Sequence, residues 1–201
     1  MAYRDVAQAT SVFQMNSLAL YGGTFDPIHH GHLILARDAM ERMEISRVIF
    51  LPAQISPHKL DRPPSPPEIR LSMVSAAISA DPSFSVDPRE LARTGPSFTI
   101  DTAREYREEF PETRLFYFIG DDNLPELHTW KDIDELQTLV DFVILSRTGI
   151  AQPVRYPIIS RNIEISSTEI RSRVAASRPV HHMVPPAVDE IIRCHRLYQN
   201  P

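Results

Sequence analysis

The chain has 201 residues, of which 42% are hydrophobic, and a formal net charge of −5 at pH 7. This length suits one domain with a substantial core, and the acidic balance argues against a general nucleic-acid-binding protein, which normally carries a basic excess. No apolar run approaches the ~18 residues that a membrane-spanning helix needs, and the longest, 136–145, is interrupted by Asp141. We therefore expect a globular protein that binds neither nucleic acid nor membrane.

The two ends of the chain carry further expectations. Residues 1–14 lack the basic start and apolar centre of a secretory signal, so we expect them to form a disordered extension before a single domain at 15–201. Cys194 is the only cysteine, which excludes an internal disulfide and favours the reducing cytoplasm. We interpret Cys194 as a small packing residue on the last helix. Whether copies of the chain form a homo-oligomer is left open.

The first predicted strand is the short apolar run Leu18–Tyr21, which ends at two glycines. Gly22 and Gly23 allow a tight turn and the close approach of a ligand. Asp26 precedes a proline, which biases it away from helix, so a loop must follow the turn. Apolar residues at helical spacing then predict a helix over 31–43.

His29 and His32 therefore lie at or beside a helix N-terminus. Free N–H groups and the helix dipole attract anions there, whereas a positive charge is unfavourable unless an anion offsets it. A metal site is one alternative, although there is no third ligand at a fitting spacing, and ordinary surface histidines are another. The glycines form neither a dinucleotide fingerprint nor a Walker A loop. We favour contact with phosphate.

The remaining elements alternate between strands and helices. In chain order they are a strand at 47–51, a proline-rich loop at 52–67, a helix to about residue 80, a strand at 84–86, a helix at 99–110, a strand at 114–119, a helix at 133–140, strands at 141–146 and 158–165, and helices at 167–176 and 186–198. Ser65 and Thr99 are the predicted caps of the first two of these helices. This alternation predicts an α/β fold, a doubly wound and mostly parallel sheet that binds ligands beyond the carboxyl ends of its strands.

A second candidate anion site lies at the start of the helix 167–176. Ser166 and Glu169 form a capping box, which is a purely structural explanation for half of the motif. Ser167 and Arg171 share a helix face, and a guanidinium in the first turns opposes the dipole but can fork onto phosphate oxygens. Pairing of this arginine with a carboxylate is the alternative. The two helix N-termini, one with His29 and His32 and the other with Arg171, each carry positive groups. This pattern favours a single bound polyanion that contacts both.

Other positions have both a plain and a functional interpretation. Lys59 alone is most simply a solvated loop lysine. Trp130, the only tryptophan, is by composition a core residue, although its loop position before a lysine favours exposure. Asp121 and Asp122 follow a predicted strand, where they either cap the next turn or face a ligand.

Two stretches resemble the signatures of the nucleotidyltransferase superfamily that carries His-x-Gly-His. Gly22-Gly-Thr-Phe-Asp-Pro-Ile-His-His-Gly-His32 is similar to the first signature, and Ile165-Ser-Ser-Thr-Glu-Ile-Arg171 is similar to the second. The family that the chain resembles most is bacterial nicotinate mononucleotide adenylyltransferase, from about residue 17 to 198. This resemblance implies a Rossmann-like sheet with helices on both faces and a small C-terminal helical segment, 165–201, that carries the second signature.

The resemblance also implies the ATP site. It places His29 and His32 beside the transferred α-phosphate and Ser167 and Arg171 on the β- and γ-phosphates, with the two histidines and Arg171 as catalytic residues. The residues implied to bind ATP are Gly22, Gly23, Thr24, Phe25, His29, His32, Gly120, Asp122, Ile165, Ser166, Ser167 and Arg171. Mg²⁺ would be carried by the phosphates of ATP, with mainly phosphate and water ligands and no metal site built from side chains.

For the second substrate, nicotinate mononucleotide, the resemblance implies contacts from Lys59, Thr99, Trp130 and Arg147. Lys59 and Arg147 would face its phosphate, Thr99 would help to form the pyridine pocket, and Trp130 would stack on the pyridine ring. Phe98 stands where the family usually has tyrosine, which puts one hydrogen bond of that pocket in doubt.

The implied reaction is the transfer of the adenylyl group of ATP to nicotinate mononucleotide, which forms nicotinate adenine dinucleotide and pyrophosphate in NAD biosynthesis. Two alternatives stay open at this point. One is another enzyme of the superfamily, acting on phosphopantetheine, nicotinamide mononucleotide or CTP. The other is a regulatory module that binds nucleotide without turnover.

Overall fold

A parallel sheet organises the part of the chain that the structure describes. The computed structural model describes residues 16–54, 63–148 and 155–199, and these form one six-stranded sheet. Its strands are β1 (Ser17–Gly23), β2 (Arg47–Pro52), β3 (Phe84–Val86), β4 (Arg114–Gly120), β5 (Asp141–Ser146) and β6 (Ile158–Ser160). They lie in the order β3-β2-β1-β4-β5-β6, and each neighbouring pair is parallel. The predicted parallel α/β sheet is confirmed.

Helices cover both faces of this sheet. The α-helices of the described residues are α1 (His30–Arg42), α2 (Pro67–Ile78), α3 (Thr99–Glu109), α4 (Ile133–Leu139), α5 (Ser167–Ala175) and α6 (Pro186–Cys194). Along β1, Ala19 and Tyr21 join a hydrophobic cluster with α1, α2, α5 and α6, whereas Leu18 and Leu20 join a second cluster with α3 and α4. Such two-sided burial is typical of parallel sheets. None of the helices in these ranges is both long and apolar enough to cross a membrane.

The two helix caps predicted between β2 and β4 are wrong. The N-cap residue of α2 is Pro66 rather than Ser65, and a proline in the first turn presets the helical backbone without a capping side chain. The N-cap residue of α3 is Phe98 rather than Thr99. The Thr99 hydroxyl instead donates to the Tyr117 hydroxyl on β4 at 3.3 Å, so a tertiary contact has taken the place of the local one.

The last strand is shorter than the predicted 158–165, since β6 ends at Ser160. Immediately afterwards, the Arg161 guanidinium donates two hydrogen bonds of 2.7 Å to the carboxylate of Asp38 on α1. This ion pair ties the chain to α1 as it leaves the sheet and leads into the second signature.

The last helix is also shorter than predicted, since α6 ends at Cys194. Arg196 adopts the left-handed conformation with φ of 50°, and the Leu197 N–H donates back to the Ile192 carbonyl at 3.0 Å. This arrangement is the Schellman type of helix end, and it turns the chain back over the molecule. The expectation that Cys194 packs in apolar surroundings is wrong, because the thiol is exposed on the final residue of the helix.

The strand order reverses between β1 and β4. From β1 the chain runs outward through β2 and β3, and it then returns to the other side of β1 to continue through β4, β5 and β6. Connections that leave in opposite directions open a crevice at the carboxyl ends of β1 and β4, which is where doubly wound sheets bind ligands.

Candidate active site

Two glycines bring polar groups to the crevice between β1 and β4. A Cβ at Gly22 would overlap the Tyr117 hydroxyl, and a Cβ at Gly120 would overlap the Asp122 carboxylate. Because neither strand end carries a side chain, these two polar groups can approach the backbone closely. The predicted close approach at Gly22 is confirmed, and Gly120 leaves the same kind of space at the end of β4.

Next to these glycines opens a cleft of about 480 Å³. The predicted ATP-site residues on its lining are Gly22, Gly23, Thr24, Phe25, His29, His32, Gly120, Asp122, Ser166, Ser167 and Arg171. The two signatures are remote in the chain and yet meet in one cavity, as a bridging polyanion requires. Ile165, the remaining predicted residue, is not on this lining, and its carbonyl accepts a hydrogen bond from Arg147 at 2.8 Å.

The two histidines of the first signature stack on one another at the start of α1. Their ring centroids are 3.7 Å apart, with an angle of 24° between the ring planes. The His29 backbone N–H donates to Nδ1 of His32 at 3.3 Å, and the Phe25 ring packs edge-on against the His32 ring at 5.2 Å. Since Nδ1 of His32 is an acceptor, the proton of the neutral ring lies on Nε2.

Burial determines the charge of His29. This residue is only 2% exposed, and the loss of solvent, followed by the nearby Arg147 charge, lowers its pKa to about 3. His29 is therefore neutral at physiological pH, and the expectation of a positive charge on this imidazole is wrong. A neutral ring does not oppose the helix dipole. Positive charge in the cleft comes instead from the guanidinium groups of Arg147 and Arg171.

The low pKa of His29 predicts that stability depends on pH. The unfolded chain binds this proton near pH 6.5, whereas the folded chain binds it only near pH 3, so between these values the unfolded state holds one more proton. The free energy of unfolding should therefore fall as pH drops from 6.5 toward 3, by up to ~1.4 kcal/mol per pH unit from this group. Replacing His29 with asparagine should remove that component in denaturant titrations at several pH values.

The matched control is the exposed residue His195. The His195→Asn variant should keep the wild-type slope of unfolding free energy against pH. Equal slopes for wild type and His29→Asn would show that His29 is not held neutral by burial.

The second signature starts α5 and contacts the first signature directly. Ser166 caps the helix by accepting the Glu169 N–H at 3.1 Å, which confirms its predicted capping role. The Ser167 hydroxyl donates to the Pro27 carbonyl at 2.9 Å. The two helix starts are therefore joined by a direct hydrogen bond as well as by a shared cavity.

Arg171 is bonded to neutral oxygens. One terminal nitrogen of its guanidinium donates to the Asp26 carbonyl at 2.8 Å, and the other donates to the Thr168 hydroxyl at 3.1 Å. Within the described ranges, no carboxylate lies at ion-pair distance from it, so the alternative of a structural Arg–carboxylate pair is wrong for that part of the chain. Its charge is available to a bound anion.

A second cavity, of about 180 Å³, adjoins the first. The residues that line both cavities are Gly22, Gly23, Thr24, Gly120 and Asn123. Thr99 and Trp130, both predicted to contact the mononucleotide, lie on this second lining together with Phe98 and Lys131. Trp130 is half-buried and packs edge-on against Tyr117, with ring centroids 6.2 Å apart. It is thus neither a core residue nor a fully exposed one.

Of the two basic residues predicted to contact the mononucleotide phosphate, the structure describes only Arg147. Lys59 lies outside the described residues. Arg147 lines the larger cleft rather than the second cavity, which places it beside the histidines and Arg171. Its contact with the mononucleotide phosphate stays a prediction.

A buried cation that was not predicted from the sequence supports the site. Arg70 on α2 is fully buried, and its guanidinium donates to four backbone carbonyls at 2.7–3.3 Å. These carbonyls belong to Thr24, Ala53, Gln54 and Ser65. Arg70 therefore joins the first signature to both sides of the proline-rich loop. The available signal was a charged residue within the otherwise apolar face of α2, since an arginine is almost never fully buried without partners.

The model of the cytidylyltransferase-like family matches residues 20–173 of this chain. Among curated relatives, a probable nicotinate-nucleotide adenylyltransferase of Opitutus terrae is 41% identical over 190 residues, covering 90% of this chain and 97% of the relative. The nicotinate-nucleotide adenylyltransferase of Bacillus subtilis is 33% identical over 189 residues, covering 92% of this chain and 100% of the relative.

A solved structure has the same fold. The Plasmodium falciparum nicotinic acid mononucleotide adenylyltransferase complexed with NaAD superimposes with a TM-score of 0.75 at 18% sequence identity, over 91% of this chain and 97% of that one. At 18% identity this likeness supports the fold alone. The family is established by the family model and by the relatives with similar sequences. The chain belongs to the cytidylyltransferase-like family and, within it, to the nicotinate-nucleotide adenylyltransferases.

Proposed function

We propose that this chain transfers the adenylyl group of ATP to nicotinate mononucleotide, forming nicotinate adenine dinucleotide and pyrophosphate, a step of NAD biosynthesis. The observation that carries the proposal is the pair of adjoining cavities, which share the backbone from Gly22 to Thr24. The larger one holds both signatures and suits ATP. The smaller one holds Thr99 and Trp130 and suits a pyridine mononucleotide. Phosphates of the two substrates would meet at the shared boundary.

The chemistry fits a site that aligns reactants without a general base. A phosphate monoester is anionic at neutral pH, so the mononucleotide phosphate can attack the α-phosphorus of ATP directly as pyrophosphate leaves in line. Catalysis then consists of positioning and of stabilising the charge that develops around phosphorus.

His32 and the start of α1 supply hydrogen-bond donors for that charge. Because Nδ1 of His32 accepts the His29 N–H, its Nε2–H is the nitrogen that can donate to a phosphate oxygen. The backbone N–H groups of the first turn of α1 point toward the N-terminus of the helix, and together with the helix dipole they also stabilise negative charge there. His29 is buried and neutral, and we assign it mainly to holding the His32 ring by stacking.

Arg171 and Ser167 suit the leaving pyrophosphate. Both lie at the start of α5 on the lining of the larger cleft, and Arg171 has no carboxylate partner among the described residues. A guanidinium presents donors in a fork that matches two phosphate oxygens. We therefore assign Arg171 to charge neutralisation on the β- and γ-phosphates and Ser167 to a hydrogen bond there.

We also propose that Mg²⁺ enters with ATP. Two of the carboxylates on the cleft lining are already bonded, Asp26 to Tyr198 and Asp121 to Ser146. Within the described ranges, no three His, Cys, Asp or Glu side chains cluster as metal ligands. This donor set fits an ion held mainly by phosphate and water oxygens. When bound, the ion would neutralise charge on the triphosphate.

The decisive experiment compares acceptors. Purified protein with Mg-ATP is incubated separately with nicotinate mononucleotide, nicotinamide mononucleotide and phosphopantetheine, and dinucleotide and pyrophosphate are measured. We expect turnover with nicotinate mononucleotide, and preference for it over the amide, as the names of the relatives indicate. Turnover only with phosphopantetheine, or ATP binding without pyrophosphate from any acceptor, would refute the proposed function.

Trp130 provides a prediction specific to the smaller cavity. Stacking of an aromatic ring on a base is worth ~1–3 kcal/mol, so Trp130→Ala should raise KM for the mononucleotide about tenfold or more. KM for ATP should change little, because Trp130 does not line the larger cleft. Steady-state kinetics with each substrate varied in turn would measure both.

The control for this variant is Trp130→Phe, which keeps an aromatic face and should retain most of the affinity. Equal losses in the alanine and phenylalanine variants, or a rise in KM for ATP alone, would remove Trp130 from the pyridine site.

A cytoplasmic location completes the proposal. Cys194 is an exposed free thiol, which suits a reducing compartment. Sedimentation of the purified chain would determine whether its copies form a homo-oligomer.

A further inference from the structure

Two consecutive carbonyls of the first signature, those of Asp26 and Pro27, orient two polar side chains of the second, Arg171 and Ser167. The Asp26 carbonyl accepts a hydrogen bond from Arg171 at 2.8 Å, and the next carbonyl along the chain, that of Pro27, accepts one from Ser167 at 2.9 Å. Because these two carbonyls are consecutive, a shift of the backbone at Asp26 and Pro27 displaces both side chains together. The orientation of the Arg171 guanidinium and the Ser167 hydroxyl, which we assign to the leaving pyrophosphate, therefore depends on how firmly Asp26 is held.

Asp26 is held through its carboxylate. One carboxylate oxygen accepts the Tyr198 hydroxyl at 2.6 Å, and the other accepts the Ser65 backbone N–H at 3.2 Å. Asp26 is 9% exposed, so water has little access to replace a lost partner. An O–H donor to a carboxylate at this distance is among the stronger hydrogen bonds of a protein. Tyr198 is thus the only side chain among the described residues that donates to this carboxylate.

Tyr198 reaches Asp26 through a constrained piece of backbone. It follows the left-handed turn at Arg196 that ends α6, and its own φ is 61°, a conformation that bulky residues rarely adopt. Such a conformation persists only where surrounding contacts hold it, and here the ring also packs against the hydrophobic cluster of α1, α2, α5 and α6. Burial raises the pKa of Tyr198, so its hydroxyl keeps the proton that it donates.

We propose that Tyr198 is a positioning residue of the transfer reaction: by fixing the Asp26 carboxylate, it holds the Asp26 and Pro27 carbonyls that aim Arg171 and Ser167 at the triphosphate. This inference rests on the proposed function. Tyr198 does not line the larger cleft, so it acts through Asp26 rather than by touching substrate. Tyr198, near the C-terminal end of the sequence, thereby supports ATP binding through Asp26, near the N-terminal end.

The chain offers a matched control for removing this one hydroxyl. Tyr106 on α3 donates to the Asp87 carboxylate at the same distance, 2.6 Å, and neither residue lines the two cavities. Tyr198→Phe and Tyr106→Phe each delete one partly buried Tyr–Asp hydrogen bond, although Asp87 keeps its ion pair with Arg89 at 2.7 Å whereas Asp26 keeps the Ser65 N–H. Thermal denaturation would confirm that both variants are folded and would measure the stability that each has lost.

The kinetic outcome separates positioning from stability. Tyr198→Phe should raise KM for ATP about five- to tenfold and lower kcat, because an Arg171 contact to phosphate is a charged hydrogen bond whose geometry is loosened. KM for the mononucleotide should stay within about twofold, since hydrogen bonds weaken with misalignment and only those at the triphosphate are displaced. Tyr106→Phe should leave all three constants at wild-type values. Identical kinetics for the two variants would overturn the proposal.

A double-mutant cycle tests the route through Arg171. In an Arg171→Ala background, Tyr198→Phe should raise KM for ATP less than it does in the wild type, because the part of its effect that acts through Arg171 is already lost and only the part through Ser167 is left. Full additivity would overturn the proposal. If the wild-type chain makes no dinucleotide, the proposed function fails, but ATP affinity measured by calorimetry on the same variants still tests Tyr198. Equal ATP affinities in wild type and Tyr198→Phe would then reject it.

Discussion

Replacing His32 with alanine is expected to lower kcat about 100- to 1,000-fold, the range found when one preorganised donor to a transition state is removed. The Nε2–H of His32 lies at the start of α1 in the larger cleft, where the transferred phosphoryl group would develop its charge. A donor that acts mainly on the transition state affects kcat more than substrate binding. KM for ATP and for the mononucleotide should therefore change by less than about threefold. Steady-state and single-turnover kinetics would separate the chemical step from binding.

His30 provides the matched control for this variant. It is the first residue of the same helix, and neither cavity is lined by it. His30→Ala should keep near-normal turnover. Near-normal turnover in His32→Ala as well would remove His32 from the mechanism, and equal losses in both variants would indicate damage to the helix start rather than loss of a donor.

Arg171→Ala is expected to lower kcat/KM for ATP about 100-fold, because a charge-assisted contact to phosphate is worth ~1.5–3 kcal/mol and its loss also weakens stabilisation of the leaving pyrophosphate. Both constants should move, with KM for ATP rising and kcat falling. Arg171→Lys should recover only part of the loss, since an ammonium is a point charge that cannot fork onto two oxygens. The same assays with ATP varied would measure each variant.

The control for Arg171 lies two residues further along α5. Arg173 is directed away from the cleft, and its guanidinium donates to the Pro179 carbonyl at 3.0 Å. Arg173→Ala removes the same charge from the same helix and should leave KM for ATP within about twofold, because exposed charges contribute little at physiological salt. An equal rise in KM for ATP in both variants would mean that ATP is attracted by the overall positive charge of α5 and not by a specific contact with the Arg171 guanidinium.

Several features of the site were predictable because they depend on neighbours in the sequence. The strand ending at Gly22 and Gly23, the helix after the first signature and the Ser166 cap all follow from the order of apolar, glycine and polar residues over a few positions. The structure has them where they were predicted. The alternation of such elements was also sufficient to predict a parallel sheet, and the larger cleft lies at the carboxyl ends of its strands, where a ligand site was predicted.

Other features could not be predicted because a distant segment changes the local preference. Thr99 is a good capping residue by composition, but the hydroxyl of Tyr117 on β4 takes its hydrogen bond. His29 has an ordinary imidazole, but burial, followed by the nearby Arg147 charge, makes it neutral. Arg70 looked like one more charged helix residue, although four backbone carbonyls from three parts of the chain surround it.

The local elements, the α/β class and the two signatures could be predicted from the order of residues, because they depend on short-range backbone preferences and on residue chemistry. Three features required the packed fold: the Asp26 and Pro27 carbonyls accept hydrogen bonds from Arg171 and Ser167, Tyr198 donates to Asp26, and His29 carries no charge. The physical reason is that the burial of a residue and its hydrogen-bond partners depend on which remote segment packs against it. The local spacing of residues along the chain does not indicate which segment that is.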